Sequence, residues 1–439
     1  MINKTFFAAA IIACCFSSIN YSQLKRTPHN ELENPAIQSI NKEAPHSTFF
    51  SYSNRDEAIA DIKEDSDNFL SLNGYWDFNF ALGFQNRIGN YFENNLNLSN
   101  WEKIEVPSNM EIQGYGVPIY LNHPYEWAPD RSQKPPFIDM DKNSFGYYRK
   151  EFELPKDWNS KMIFIHFGAI KSAGYLYING KYVGLTKDGK TPAEFNITKY
   201  LKAGKNLIAL EVIRWTDGSY LECQDFWRLS GIPREVYIYC QPQTRIKDFF
   251  AKANLDDDYT NGIFNLDIEL KSHSEKKLSC NVTIELIDEN GLIVFSESKS
   301  SDKFGKGRNV NITFQKKINN VKKWSAESPN LYSLIISTKD ENGTQLEFTS
   351  AKIGFRRVEI KNGLLLVNGK RILIKGVNLH EFNSLTGQYV DRELMLKDIE
   401  QMKKLNINAV RTSHYPQPEE WYKLCDKYGL YLVAEANIE

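Results

Sequence analysis

Residues 391–433 read DRELMLKDIEQMKKLNINAVRTSHYPQPEEWYKLCDKYGLYLV, and this stretch decides the fold of the last part of the chain. Met395, Ile399, Met402 and Leu405 recur at helical spacing behind Asp391, whose carboxylate can accept the free amides of a first turn. Residues 408–412 carry a short strand pattern. Pro418 suits the first position of a second helix, with Trp421, Leu424, Cys425 and Tyr428 on one apolar face and Gly429 as its left-handed stop. Residues 430–433 read as another strand, and upstream residues 371–377 form an apolar strand of the same kind. The alternation strand–helix–strand–helix–strand predicts parallel pairing and an α/β fold. Only about 80 residues follow position 357, whereas eight such units need roughly 250. Residues 357–439 are therefore expected to be the first strands of an incomplete (β/α)8 TIM barrel, truncated after Glu439.

Upstream of this stretch the style is different. Between about 70 and 355 the chain alternates short strand patterns with turns, and no long helical period interrupts it. Asn179-Gly180, between Tyr175-Leu176-Tyr177-Ile178 and Lys181-Tyr182-Val183-Gly184, is a two-residue hairpin signal, because a type I′ turn needs positive φ at both positions. Asn290-Gly291 and Asn342-Gly343 sit between further strand patterns. The length of this all-β region predicts two sandwiches, with a break near 240–247. Residues 23–49, with Pro28, Pro35 and Pro45, read as an extended arm.

The N-terminus reads as an export signal. Lys4 precedes an apolar run too short to cross a bilayer, and cleavage is expected after Ser22, giving a signal peptide over 1–22. Residues 11–14 offer a rival reading, a lipoprotein with Cys14 lipidated. Either places the protein outside the cytoplasm, periplasmic or extracellular. No other stretch could span a membrane. Lys plus Arg total 54 against 55 for Asp plus Glu, so nothing in the charge points to nucleic acid or an anionic membrane. Cys223, Cys240, Cys280 and Cys425 lack metal or disulfide spacing and read as buried thiols. Aromatic residues make up 13% of the chain, which suits β packing first and sugar stacking second.

Active sites of β/α barrels collect at the C-terminal ends of the strands. His380 follows the first strand, His414 the second, and Glu435 and Glu439 the third. Ionisable groups at equivalent tips suggest a site, although each could also cap a loop or satisfy a buried carbonyl.

At this point a resemblance enters. Asn408-Ala409-Val410-Arg411-Thr412-Ser413-His414-Tyr415-Pro416, with Trp421-Tyr422, Asp426 and Gly429-Leu430-Tyr431-Leu432-Val433, resembles the signature of glycoside hydrolase family 2. Glu435-Ala436-Asn437-Ile438-Glu439 resembles the next segment of its large β-galactosidases. Leu72-Asn73-Gly74-Tyr75-Trp76-Asp77-Phe78, Val106-Pro107-Ser108-Asn109 and Arg214-Trp215-Thr216-Asp217-Gly218-Ser219-Tyr220 resemble its first-domain motifs. The resemblance implies a jelly-roll sugar-binding domain over 50–240, an immunoglobulin-like β-sandwich over 245–355 and the start of the catalytic barrel over 357–439. It further implies that Asn122, Asp225, His380 and His414 bind substrate, that Asp225 also touches Na⁺, and that Glu439 ligates Mg²⁺.

Both catalytic Glu of that family stand on later barrel strands, one of them after an Asn. The single Asn-Glu here, Asn30-Glu31, lies in the arm, so no catalytic residue is assigned within the chain. The expected function is hydrolysis of terminal β-D-galactosides by the full-length protein, with the fragment inactive. A β-glucuronidase or β-mannosidase of the same family, or a non-catalytic carbohydrate-binding module, are the alternatives. The resemblance leaves room for a homo-oligomer. Leu379, Ala434 and Cys223 depart from the family pattern without removing an expected ligand. Asn122 could instead bond its own backbone, and Asp225 could pair with Arg228. Trp76, Trp101, Trp127, Trp215 and Trp227 read as packing residues.

Overall fold

The computed structural model describes residues 31–122, 125–127 and 134–438. The expected signal over 1–22, Cys14, the start of the arm and the expected magnesium ligand Glu439 lie outside them. No helix among the described residues is long and apolar enough to cross a membrane.

Two antiparallel sheets share the first core. One runs in the order Ser39–Ile40, Lys181–Thr186, Ala173–Ile178, Lys205–Ile213, Ser144–Glu153, Gly74–Leu82, Glu102–Val106. The other runs Ala193–Asn196, Met162–Phe167, Val236–Gln241, Phe69–Ser71. Alternation along Gly74–Leu82 buries Trp76 and Phe78. They meet Tyr148, Leu176 and Leu210 of their own sheet and Ile163, Ile165, Phe195 and Ile238 of the facing one. The Asn179-Gly180 turn has φ of 52° and 78°, and Lys181 stands opposite Ile178. The arm contributes an edge strand, because Ser39–Ile40 pairs with the end of Lys181–Thr186.

Pro242 and Gln243 separate this sandwich from the next. There, Thr244–Leu255, Gly262–Ser272 and Asn309–Ile318 face Ile293–Ser300, Cys280–Ile287, Tyr332–Asp340 and Gln345–Ile353 across a second core. Gly291 and Gly343 take φ of 82° and 85° in the two expected turns.

The junction departs from the sequence reading. Residues 371–377 are not one strand. Lys370–Arg371 closes a small antiparallel sheet with Leu364–Val367 and Val358–Lys361, and the first parallel strand is Gly376–Leu379. Leu373 and Ile374 between them are exposed. Asn362-Gly363 and Asn368-Gly369 turn this sheet with positive φ at all four residues. The dipeptide rule that located the 179–180 hairpin locates these turns too.

Gly376–Leu379, Ala409–Thr412 and Tyr431–Val433 then form a parallel sheet in chain order, the start of the barrel. Asp391 caps helix Arg392–Lys404 by accepting from the Leu394 amide. Pro418 stands one residue before helix Glu419–Tyr428, as its cap rather than its first residue. Gly429 ends that helix at φ 74°, and a Cβ there would lie 2.4 Å from the Ala326 carbonyl oxygen. Met395, Ile399, Met402, Trp421, Leu424 and Cys425 pack on Val410. Leu405, grouped with them by spacing, is exposed, because the helix stops at Lys404 and the chain turns away at Asn406. Cys240, Cys280 and Cys425 are buried thiols, and half-buried Cys223 lies 3.3 Å from Arg228 Nη2.

Candidate functional site

The tips of the three parallel strands place His380, His414 and Glu435 together. The rings of His380 and His414 meet edge to face, 5.6 Å apart. His380 also stacks on Phe226 of the first sandwich, at 4.3 Å and 6°. Burial holds the His380 imidazole below its ordinary pKa, His414 adds to this, and Asp225 pulls the other way. His380 is thus neutral at pH 7, and its buried Nδ1 has no hydrogen-bond partner. Nδ1 of His414 lies 3.0 Å from Glu435 Oε2 and 3.1 Å from Arg411 Nη2. Arg411 Nε also donates to Glu435. Burial alone would raise the Glu435 carboxyl, but the bonds from Arg411 and His414 outweigh it and hold it below the usual range.

The first sandwich reaches this rim through a two-stranded ribbon, Ile119–Leu121 with Phe226–Arg228. The ladder pairs Phe226 with Leu121, so Asn122 and Asp225 stand one step beyond it on opposite strands. Both are exposed. The Tyr120 hydroxyl donates to Asp225 Oδ1 at 2.8 Å. The Asp225–Arg228 ion pair weighed from the sequence does not form. Arg228 instead donates to the Glu222 and Leu121 carbonyls. Gln224 Nε2 donates to Asn437 Oδ1 at 2.7 Å, which ties the loop before Asp225 to the segment after the third strand. Trp76, Trp127 and Trp215 are buried, in keeping with packing, while half-buried Trp227 stacks on Phe382.

Asp225, His380 and His414 are therefore gathered, and Asn122 stands at the edge of the same ribbon. No group of three or more His, Cys, Asp or Glu among the described residues could hold a metal ion. Asp225 has Oδ2 to offer a sodium ion, since Tyr120 occupies Oδ1. One oxygen is a small part of the shell a hard cation takes, and no step is routed through it.

Three residues the sequence reading did not single out bolt the halves together. Glu381, beside His380, accepts from Arg234 Nε at 2.9 Å, Arg234 Nη2 at 2.8 Å and Lys190 Nζ at 2.9 Å. Arg234 also donates to the Pro416 carbonyl, just past His414, at 2.7 Å. All three side chains are buried. Burial pushes the Lys190 ammonium down to about 7, a fall that attraction to Glu381 only partly offsets. For Glu381 the two cations outweigh burial and keep the carboxyl below its usual range. No local pattern marks Lys190 or Arg234, which lie 191 and 147 residues from Glu381 in the chain.

Glu222 belongs to the same junction. Its Oε1 accepts from the Gly189 amide at 2.9 Å, while its Oε2 is buried without a partner. Burial pushes its carboxyl up to about 7, against the pull of Lys171. Between about pH 4.5 and 7 the folded chain keeps a proton that the unfolded chain has released, so this group makes stability fall as pH rises through that window. Glu222→Gln is expected to remove that fall, gaining on the order of 1–3 kcal/mol over the parent chain at pH 8 and little at pH 4. Melting temperatures across the pH range check this; a pH-independent difference between the two chains would contradict it.

Two sandwiches ahead of parallel β/α units, with imidazoles and carboxylates on the strand tips, make up the build of a multidomain barrel glycosidase. Comparison with known proteins agrees. Residues 69–242 match the sugar binding domain of glycosyl hydrolases family 2, residues 244–356 match the model described simply as glycosyl hydrolases family 2, and residues 358–439 match the family's TIM barrel domain. A β-galactosidase of Priestia megaterium is 42% identical over 409 residues, 92% of this chain and 39% of that protein. A β-galactosidase of Streptococcus thermophilus is 37% identical over 425 residues, 96% of this chain and 40% of the relative. Among solved structures, a β-glucuronidase of Bacteroides uniformis superposes with a TM-score of 0.72 at 21% identity, covering 84% of this chain and 42% of that one. A β-glycosidase from Bacteroides vulgatus superposes with a TM-score of 0.67 at 26% identity, covering 84% and 44%. The chain belongs to glycoside hydrolase family 2. It spans about two fifths of the length of the curated relatives it matches.

Proposed function

We propose that the whole protein hydrolyses terminal non-reducing β-D-galactose residues by a retaining double displacement. One observation carries the reading: a chain 42% identical to a β-galactosidase sets Asp225 of the sandwich within electrostatic reach of His380 on the barrel tip. The Asn122 amide both donates and accepts, which suits vicinal sugar hydroxyls. Asp225 accepts hydroxyl protons, the neutral imidazole of His380 can accept or donate a hydrogen bond without adding charge, and His414 offers a second ring nitrogen to a sugar hydroxyl. Retention needs two carboxylates about 5 Å apart, one as nucleophile and one as acid/base. We assign neither role within residues 1–439, because Glu435 is engaged by Arg411 and His414 and Asp225 by Tyr120. Both catalytic Glu are proposed to stand on later barrel strands. Glu439 is proposed as a Mg²⁺ ligand and Asp225 as one Na⁺ ligand, and export to the periplasm or exterior is proposed from the N-terminal residues.

The test is expression of the whole reading frame and comparison of nitrophenyl β-D-galactoside with the β-D-glucuronide and β-D-mannoside. The galactoside is expected to show a kcat/KM higher by on the order of 100-fold. A preference for either competitor would replace this reading.

A further inference from the structure

We infer that Glu435 is a positioning residue that sets the tautomer of His414. The consequence for substrate rests on the proposed function; the tautomer itself does not.

His414 Nδ1 has two neighbours, Glu435 Oε2 at 3.0 Å and Arg411 Nη2 at 3.1 Å. A carboxylate only accepts and a guanidinium only donates. A neutral ring can satisfy one of them through that nitrogen. With Nδ1 protonated, the ring donates to Glu435. With Nδ1 bare, it accepts from Arg411 and sets a lone pair against a carboxylate oxygen. The surroundings favour the first arrangement. Arg411 already donates through Nε to Glu435, and its side chain is 39% exposed, so Nη2 can turn to water. Glu435 and His414 are less exposed, at 23% and 22%, so solvent replaces their bond less readily than the Arg411 contact. Both alternatives are charge-assisted, but only the first avoids a lone pair facing the carboxylate oxygen.

In the neutral ring the proton is thus held on Nδ1, and Nε2, across the ring, keeps its lone pair. His414 then meets a ligand as an acceptor. The partner it fits is a sugar hydroxyl that donates, and Glu435 acts through His414 without touching the sugar.

The experiment labels the seven histidines of the chain with ¹⁵N and reads ring nitrogen shifts in residues 1–439, assigning His414 by its loss in His414→Gln. The expected signature for His414 is the Nδ1–H tautomer. In Glu435→Gln, whose amide can donate to Nδ1, the ring is expected to pass largely to Nε2–H. Arg411→Lys should leave Nδ1–H in place. The other six rings serve as the control for folding. An Nε2–H ring in the parent chain overturns the proposal, as does a tautomer unmoved in a folded Glu435→Gln. Should that variant not fold, the parent spectrum still decides. Galactose titration forms a separate arm: absence of binding there with Nδ1–H observed would count against the functional reading and leave the role of Glu435 standing.

Discussion

Glu381→Ala is expected to destabilise the junction between the first sandwich and the barrel start by about 3–5 kcal/mol, the usual cost of leaving buried charge unpaired. The substitution strands Lys190 and Arg234, both buried, and removes three hydrogen bonds of 2.8–2.9 Å. It also frees the backbone that carries His380. Urea titration followed by tryptophan emission should show an earlier transition, with Trp421 in the affected core. The triple change Glu381→Leu, Lys190→Met, Arg234→Met is expected to recover most of the loss, because a well-packed apolar group avoids the desolvation that the ion cluster suffers. A single Glu381→Ala chain as stable as its parent would show that water reaches these charges.

The polypeptide of residues 1–439, expressed by itself, is expected to release no chromophore from a nitrophenyl β-galactoside above background. Enzymes of this kind act through rate enhancements of at least about 10⁶, and that factor is lost with the carboxylate pair that forms and breaks the glycosyl bond. The groups gathered here are proposed to hold hydroxyls, and neither catalytic carboxylate is assigned among them. Clear turnover by the purified chain, abolished by Glu435→Gln, would overturn this and make Glu435 a reacting group.

Local rules made much of the fold legible. Asn179-Gly180 specifies its hairpin because few other residues accept positive φ twice in succession. Asp391 and Gly429 mark helix ends because unpaired amides and a left-handed stop each need a particular side chain or none. Those rules failed where exposure broke the pattern: Leu373, Ile374 and Leu405 are apolar yet outside any core, and the periodicity counted them in. The small sheet of Val358–Lys361, Leu364–Val367 and Lys370–Arg371 was readable from its two Asn-Gly turns.

The site divides along the same line. The strand-tip pattern singled out His380 and His414, and the family resemblance added Asp225 and Asn122. Lys190, Arg234 and the role of Glu381 could come only from the folded chain. A lysine bound for a buried triad is spelled the same as one bound for water. What distinguishes them is a partner well over a hundred residues away, brought to hydrogen-bond distance by packing that neither residue encodes locally. The strand tips were determined by short-range chemistry. That they face Phe226, Gln224 and Asp225 of another domain was decided by the burial of the surfaces between them.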